Sequence, residues 1–183
     1  MKLYNALNII LWSILISAGL NPLMAEVKDS SPNGFTIQDS VIIAANPMDV
    51  YHSIVEDVGL WWDSAHTFSG NAENLTIDDK AGGCFCEKLN NGGSVRHLEV
   101  VFAEPGKTLR MIGGLGPLQS MAVTGSMTWS LSKTNDGAIV KVIYSIGGYR
   151  PGGLQKMAAL VDKVMAEQLK RLKDFIEANS IKK

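Results

Sequence analysis

Residues 154 to 177, LQKMAALVDKVMAEQLKRLKDFIE, form the one long stretch of this 183-residue chain whose apolar residues keep a helical period without interruption. At about 100° per residue, the apolar side chains fall on one stripe and the charged side chains fall opposite. The stripe consists of Leu154, Met157, Ala158, Val161, Val164, Met165, Leu169, Leu172, Phe175 and Ile176. This pattern predicts a long amphipathic C-terminal helix, which needs an apolar surface on which to pack. Gln168 interrupts the stripe, either bonded to a neighbouring backbone group or making a polar contact inside a cavity.

The segment before this helix consists of short β-type runs separated by turns. Residues 35 to 43 and 123 to 132 alternate apolar and polar side chains, as strands with one buried face do. Hairpin turns are indicated at Asn90-Asn91-Gly92-Gly93, Glu104-Pro105-Gly106-Lys107 and Asn135-Asp136-Gly137. With loops of even length, the predicted cross-strand pairs are Phe85 with Leu98, Val100 with Met111, Phe102 with Leu109, Trp129 with Tyr144 and Leu131 with Val142. We expect the resulting sheet to curve around the helix, because that arrangement buries the apolar face of each.

A short helical region interrupts the strands after residue 45. Asn46 is a favourable N-cap and Pro47 a favourable first helical residue, so we predict a short helix from Pro47 to about Asp57. Trp61 and Trp62 follow in a turn or a second short helix. Because adjacent side chains cannot face the same way from one element, one tryptophan is expected in the core and the other beside a cavity, unless both serve only as packing.

The predicted register places charged and sulfur-containing residues on both faces of the strands between residues 84 and 99. Glu87 faces Arg96 on the inner face, either as a structural ion pair or as a pair that orients a ligand in a pocket. The opposite face carries Cys84, Cys86, His97 and Glu99. Free thiols are the first interpretation of the two cysteines, a disulfide is the second and zinc the third, because a C-x-C pair is a weak zinc signal. We therefore predict no metal centre.

Residues 1 to 25 have the pattern of a secretory signal peptide, with a positive N-terminus, an apolar run from Ile9 to Leu20 and the small residue Ala25 at its end. The run is shorter than the ~20 residues of a membrane span, so we expect cleavage and no stable membrane insertion, with an uncleaved anchor as the alternative. Residues 26 to 33 are polar and predict a disordered leader. Residues 34 to 180 are expected to form one domain. The expected location is the periplasm or the extracellular space.

Charge and motifs argue against several classes of function. With 17 basic and 18 acidic residues and a net charge of −1, the chain does not have the basic patch expected of a nucleic-acid-binding protein. It contains neither the G-x-S-x-G nor the H-E-x-x-H motif of hydrolases. Residues 113 to 117 are glycine-rich but are not followed by the lysine of a phosphate loop. We interpret them as an irregular connection beside a cavity, where Leu115, Leu118 and Met121 can act as an apolar gate.

The element order and three motifs resemble a known superfamily. The motifs are Asn46-Pro47-Met48-Asp49-Val50-Tyr51 with Trp61-Trp62 and His66, Gly82-Gly83-Cys84-Phe85-Cys86-Glu87, and Pro105-Gly106-Lys107-Thr108-Leu109-Arg110. They are similar to those of proteins related to the activator of heat-shock-protein ATPase. Over residues 35 to 176, the order of elements resembles the helix-grip fold of the SRPBCC superfamily, also called START-like or polyketide cyclase/dehydrase and lipid transport.

This resemblance implies an α+β fold in which a curved antiparallel sheet of about seven strands surrounds the C-terminal helix, with two short helices after the first strand. It also implies a hydrophobic cavity between sheet and helix, and no catalytic residue shared across the superfamily. The expected export of this chain departs from a chaperone-activator role in the cytosol.

We therefore expect an exported protein that binds a small apolar molecule without a cofactor, and we favour binding over catalysis. The candidate ligand-binding residues are Trp61, Trp62, Phe85, Glu87, Arg96, Leu98, Met111, Leu115, Trp129, Tyr144 and Gln168. Two alternatives remain open: a cyclase or dehydratase that uses Glu87 or Tyr144 as a general acid or base, and a protein-interaction module of the cell envelope. The sequence carries no signal for an oligomeric state.

Overall fold

The computed structural model describes residues 24 to 180. Its strands are β1 (Met24–Ser31), β2 (Gly34–Ile43), β3 (Leu75–Ile77), β4 (Cys84–Lys88), β5 (Ser94–Glu104), β6 (Thr108–Ile112), β7 (Ala122–Thr134) and β8 (Gly137–Tyr149). Its α-helices are α1 (Pro47–Glu56), α2 (Val58–Trp61) and α3 (Gln155–Ser180), and short 3-10 turns occur at Ser64–His66, Ala72–Asn74 and Gly116–Ser120. Except for its last two residues, the predicted signal peptide over residues 1 to 25 lies outside the described part of the chain.

The strands form one curved antiparallel sheet in the order β1-β2-β8-β7-β6-β5-β4-β3. Every second residue of β2 is buried, and α3 packs across β2 and β1 on that side. The helix buries Ala158, Met165, Gln168, Leu169, Leu172 and Ile176. These features confirm the predicted α+β helix-grip architecture, with two short helices between β2 and β3. Within residues 24 to 180, no helix is both long and apolar enough to cross a membrane.

The sheet has eight strands, whereas about seven were expected, because β1 adds an edge strand. Met24–Ser31 pairs with β2, with Val27 opposite Ile37, and Val27 packs partly buried against the core. The expectation of a disordered leader over residues 26 to 33 is therefore wrong. The polar composition that suggested disorder also suits an edge strand, which has only one neighbour and stays largely in contact with water.

The helical region after β2 begins as the capping pattern predicts. The Asn46 side chain accepts a hydrogen bond from the backbone N–H of Asp49 (3.0 Å), and Pro47 occupies the first turn of α1. The helix ends at Glu56, and α2 brings Trp61 and Trp62 under the sheet, where both are buried. The predicted helix over residues 47 to 57 is thus confirmed to within one residue.

Two β-bulges in β5 change the predicted register. The pairs Phe85–Leu98 and Val100–Met111 are confirmed, but His97 and Val101 are extra residues with no partner in the neighbouring strand. Because one extra residue inverts the side-chain faces beyond it, Phe102 lies opposite Arg110 and is 44% exposed. The predicted pairing of Phe102 with Leu109 is therefore wrong.

The hairpin of β7 and β8 keeps its predicted faces although its register is shifted by two residues. Trp129 pairs with Val142, and Leu131 pairs with Val140, rather than with Tyr144 and Val142. The loop is centred on Asn135 and Asp136, one residue earlier than the turn motif suggested. Because side chains alternate with a period of two, this shift still leaves Trp129 and Tyr144 buried on the inner face.

Candidate functional site

An apolar cavity of about 340 Å³ opens between the first half of α3 and two loops of the sheet. One loop contains the turn Ser64–His66, and the other contains the turn Gly116–Ser120. The lining residues are Trp62, Ala65, His66, Thr67, Phe68, Leu115, Gly116, Pro117, Leu118, Met157, Leu160, Val161, Val164 and Met165. Ligand pockets for drug-sized molecules have volumes of about 300 to 1,000 Å³ and mostly apolar walls, so this cavity has the size and chemistry of a small-molecule site.

The helix α3 packs differently along its two halves. In the second half, Leu169, Leu172 and Ile176 are buried against the sheet. In the first half, Leu160 is 60% exposed, and Val164 is only partly buried, although both are apolar. Large apolar side chains left in contact with water around a concave surface mark an interaction site. The cavity therefore lies beside the part of the helix whose apolar side chains are not fully covered, although Ala158 and Met165 in the same half are buried.

The wall made by residues 115 to 118 is fixed to the sheet by Tyr144. Its hydroxyl accepts a hydrogen bond from the backbone N–H of Leu115 (2.9 Å) and donates one to the backbone oxygen of Gly113 (2.9 Å). Burial raises the pKa of Tyr144 above its ordinary value, so this hydroxyl remains a donor at all physiological pH values. Leu115 and Leu118 line the cavity, as the predicted apolar gate requires, whereas Met121 is not part of the lining.

The opposite wall, residues 65 to 68, is held by the buried carboxylate of Glu87. This carboxylate accepts hydrogen bonds from the backbone N–H groups of Phe68 (3.0 Å) and Ser69 and from Nε2 of His97 (2.9 Å). Burial acts to raise the pKa of Glu87, but these hydrogen bonds outweigh it and hold the pKa below its ordinary value. Glu87 is therefore an anion whose role is to position the loop.

His97 completes this buried pair. Its ring is 3% exposed and stacks against Phe68, with ring centroids 5.8 Å apart. Burial lowers the pKa of His97, and its bond to Glu87 opposes that effect only in part. The imidazole is therefore neutral and donates through Nε2, while Nδ1 has no protein partner among the described residues.

The predicted pair of Glu87 with Arg96 does not form. The bulge at His97 moves Arg96 to the outer face, where its guanidinium is exposed and bonds Glu99 at 2.9 Å. The same bulge turns His97 inward to become the partner of Glu87. Arg96 is therefore absent from the cavity lining, and the predicted role of an Arg96–Glu87 pair in orienting a ligand is wrong.

The predicted cluster on the outer face is also changed by the bulge. Cys84 and Cys86 are joined in a disulfide, so the first interpretation, free thiols, is wrong and the second is the one observed. Their Cα atoms lie 5.4 Å apart, within the range that a disulfide spans. His97 has left this face, and therefore the four residues weighed as zinc ligands do not converge.

The remaining predicted residues divide between the cavity and the core. Trp62 and Leu115 line the cavity. The core holds Trp61, Phe85, Leu98, Met111 and Trp129. The two tryptophans thus follow one of the expected alternatives, with Trp61 packed against Trp129 and Trp62 at the cavity wall. The amide oxygen of Gln168 accepts a hydrogen bond from the backbone N–H of Asp63 (2.8 Å), which is the structural alternative for that residue.

Sequence reasoning did not assign to the cavity its loop residues 65 to 68, Leu160, or the helix-stripe residues Met157, Val161, Val164 and Met165. Residues 65 to 68 have no periodic pattern, and their position depends on tertiary and loop contacts, among them the hydrogen bonds to Glu87 and Asp63. Leu160 carried a usable signal, because it lies three and four residues from Met157 and Val164 and extends the apolar stripe.

No family model matches the chain, and no curated protein sequence matches it. Among solved structures, the protein MLL2253 from Mesorhizobium loti has a TM-score of 0.55 at 18% identity, over 78% of this chain and 97% of that chain. DynU16, a protein in the dynemicin biosynthetic locus, has a TM-score of 0.56 at 17% identity, over 79% of this chain and 48% of that chain. CalU16 from Micromonospora echinospora has a TM-score of 0.53 at 14% identity, over 86% of this chain and 84% of that chain. These similarities show a shared fold.

Proposed function

We propose that this chain binds a small hydrophobic molecule, of lipid-, polyketide- or aromatic-like character, in the cavity between α3 and the two loops. The observation that carries the proposal is the cavity itself, about 340 Å³ in volume and walled almost entirely by apolar side chains. A ligand that buries about 300 Å² of apolar surface gains about 7.5 kcal/mol at ~25 cal/mol per Å². That gain sets an upper limit near micromolar affinity without any covalent step.

Membership of the SRPBCC superfamily is part of this proposal, and the narrower similarity to the heat-shock ATPase activators is a prediction that the comparisons do not test. One structural neighbour comes from the dynemicin biosynthetic locus, which supports a small-molecule ligand.

Export is the second part of the proposal. Its basis is the signal pattern of residues 1 to 25 together with the disulfide between Cys84 and Cys86. Disulfides persist in oxidising compartments and are rare where thiols are kept reduced. The periplasm or the extracellular space therefore fits the chain better than the cytosol.

Binding is favoured over the alternative of a cyclase or dehydratase because the two proposed acid–base residues are already engaged. Glu87 accepts three hydrogen bonds, and the hydroxyl of Tyr144 both accepts from and donates to the backbone. Neither side chain is part of the cavity lining. A general acid or base has to reach the substrate within hydrogen-bond distance.

The test is a fluorescence titration of the purified protein with N-phenyl-1-naphthylamine, an apolar dye whose emission rises in a non-aqueous site. We expect saturable binding in the micromolar range. Val164→Trp should fill the cavity and weaken binding at least tenfold, and Leu160→Lys should place a charge at its rim with a similar effect. Ala178→Trp, an exposed position on the same helix, is the matched control and should bind as the parent does.

Circular dichroism and thermal melting establish that each variant is folded before its binding is compared. The absence of saturable binding by the parent protein would overturn the proposal, as would equal binding by the parent, Val164→Trp and Leu160→Lys. Native mass spectrometry of the protein as purified gives an independent result, since an occupied cavity should release an apolar species of defined mass.

A further inference from the structure

Three side chains that can bind a metal ion converge at the rim of the cavity. Asp63 is the N-cap of the 3-10 turn Ser64–His66, His66 is the last residue of that turn, and Glu167 belongs to α3. One ligand atom from each lies within 4.8 Å of the other two, and His66 Nε2 is 4.0 Å from a carboxylate oxygen of Glu167. Residues 63 and 167 are about a hundred positions apart in the chain, so only the fold brings them together.

The position of Asp63 relative to α3 is fixed by hydrogen bonds. Its backbone N–H donates to the side-chain oxygen of the buried Gln168, the residue next to Glu167 (2.8 Å). One carboxylate oxygen of Asp63 accepts a hydrogen bond from the backbone N–H of Ala65 (2.9 Å), which holds the 3-10 turn that presents His66. The backbone geometry of the three residues is therefore set before any ion binds, which reduces the conformational entropy lost on binding.

The charge of the cluster favours a cation. Asp63 and Glu167 bring two carboxylates within 4.8 Å of each other and of the His66 imidazole. The Arg171 guanidinium is the cation that lies near the carboxylate of Asp63, and its Nη1 is 3.9 Å from Asp63 Oδ2. That separation is longer than a direct hydrogen bond, so the second oxygen of Asp63 is still able to bind an ion.

We propose that Asp63, His66 and Glu167 form a binding site for a divalent transition metal ion of the zinc class. One imidazole nitrogen and two carboxylate oxygens form a mixed donor set that suits Zn²⁺, whereas Ca²⁺ and Mg²⁺ prefer oxygen ligands alone. Zinc bonds of about 2.0 to 2.2 Å keep ligand atoms within about 4 Å of each other. The side chain of Glu167, 44% exposed, is free to make the small movement that closes the observed separation.

Such a site has coordination positions left over for water or for a ligand atom. His66 is also part of the cavity lining, and Val164 lies one helical turn before Glu167 on α3. A metal ion held here would therefore face the mouth of the cavity, where it can contact the polar end of an amphipathic molecule. The metal-binding inference does not depend on the proposed ligand, because zinc alone is the probe that tests it.

The experiment is isothermal titration calorimetry of the chelator-treated protein with zinc chloride. We expect one ion per chain with a dissociation constant below 100 μM. His66→Ala and Glu167→Gln should each weaken binding at least tenfold, and Glu167→Gln is nearly isosteric and so preserves the fold. His52→Ala is the matched control, because His52 is an exposed histidine on α1, and it should bind as the parent does.

Cobalt substitution supplies a second readout, because the visible absorption of bound Co²⁺ reports its ligands. We expect a cobalt spectrum that appears with one equivalent and is abolished by His66→Ala. The absence of zinc binding at 100 μM would overturn the inference. Binding that His66→Ala and Glu167→Gln leave within twofold of the parent would also overturn it, since the ion would then be held elsewhere.

Discussion

The buried carboxyl group of Asp39 should make the protein less stable as the pH rises from about 4 to about 7. Asp39 lies on the inner face of β2, in the same row as Ile37 and Val41, and is fully buried. Neither of its carboxylate oxygens has a hydrogen-bond partner within residues 24 to 180. Burial, with a smaller contribution from the negative charge of Asp162 on α3, raises the pKa of Asp39 from 3.8 to about 7.

The direction of the effect follows from the protonation of the carboxyl group in the folded and unfolded chains. Below pH 4 the group is protonated in both states, so it contributes no penalty. Above pH 7 it is ionised in both states, and the folded chain bears the full free-energy penalty of a buried charge. At about 1.4 kcal/mol per pKa unit, a rise of about three units corresponds to at most about 4 kcal/mol.

Asp39→Asn removes the charge with little change in size and should therefore stabilise the protein above pH 7. Urea unfolding of the parent and the variant at half-unit steps from pH 4 to pH 8.5 gives the difference in free energy of unfolding. Titrating groups other than Asp162, which interacts with Asp39, cancel in that difference because both proteins contain them. We expect a difference that is smallest near pH 4, rises sigmoidally, and reaches 2 to 4 kcal/mol at pH 8, on the order of the shift above.

Asp136→Asn is the control, since Asp136 lies exposed in the loop between β7 and β8. A substitution there should change the stability by less than about 0.5 kcal/mol at every pH. A difference for Asp39→Asn that stays flat from pH 4 to pH 8.5, or that falls with rising pH, would refute the reasoning. Either result would mean that the folded state does not hold this carboxyl group in an apolar, unpaired environment.

Three further substitutions test the supports of the cavity by urea unfolding. Glu87→Gln should destabilise the protein by about 2 to 3 kcal/mol at pH 7. The difference in free energy of unfolding between parent and variant should shrink as the pH falls through the lowered pKa of Glu87. A loss of stability that does not depend on pH would contradict this prediction. Tyr144→Phe should cost about 1 to 3 kcal/mol because two backbone groups lose their partner, whereas Tyr149→Phe, 72% exposed, should be neutral. Gly113→Ala should lower the free energy of unfolding more than Gly92→Ala does. Both glycines have positive φ, but only a Cβ at position 113 would lie 2.9 Å from a backbone oxygen, that of His97. Equal losses of stability in the two variants would exclude that clash.

The elements of this fold were predictable where a period or a local capping rule determines them. The apolar stripe of α3 and the Asn46–Pro47 start of α1 are local patterns, and the structure confirms both. The faces of β7 and β8 were also correct despite the register shift, since a slip of two residues preserves them. β1 was missed because its polar sequence pairs with the sheet only as an edge strand.

The site was less predictable, because it depends on single-residue irregularities and on distant contacts. Nothing in the sequence of β5 distinguishes a strand with a bulge at His97 from a regular strand, yet this one residue exchanges Arg96 for His97 as the partner of Glu87. Apolar residues such as Phe85 and Met111 were expected to line the cavity, but they lie in the hydrophobic core. Residues on the inner face of a sheet can either pack against other side chains or border a cavity. Periodicity indicates burial and does not distinguish these two outcomes.

The unequal packing of the two halves of α3 has a consequence for how a ligand enters the cavity. The half that carries Leu169 and Leu172 is buried against the sheet, whereas the half that carries Leu160 and Val164 buries only Ala158 and Met165. An outward movement of the first half would therefore break fewer apolar contacts than a movement of the second half. Local opening of this kind requires much less free energy than global unfolding. Amide hydrogens before residue 165 should therefore exchange with deuterium faster than those after it, and an occupant of the cavity should slow the faster group. The first half of α3 would then open and close over the cavity while the second half stays packed against the sheet.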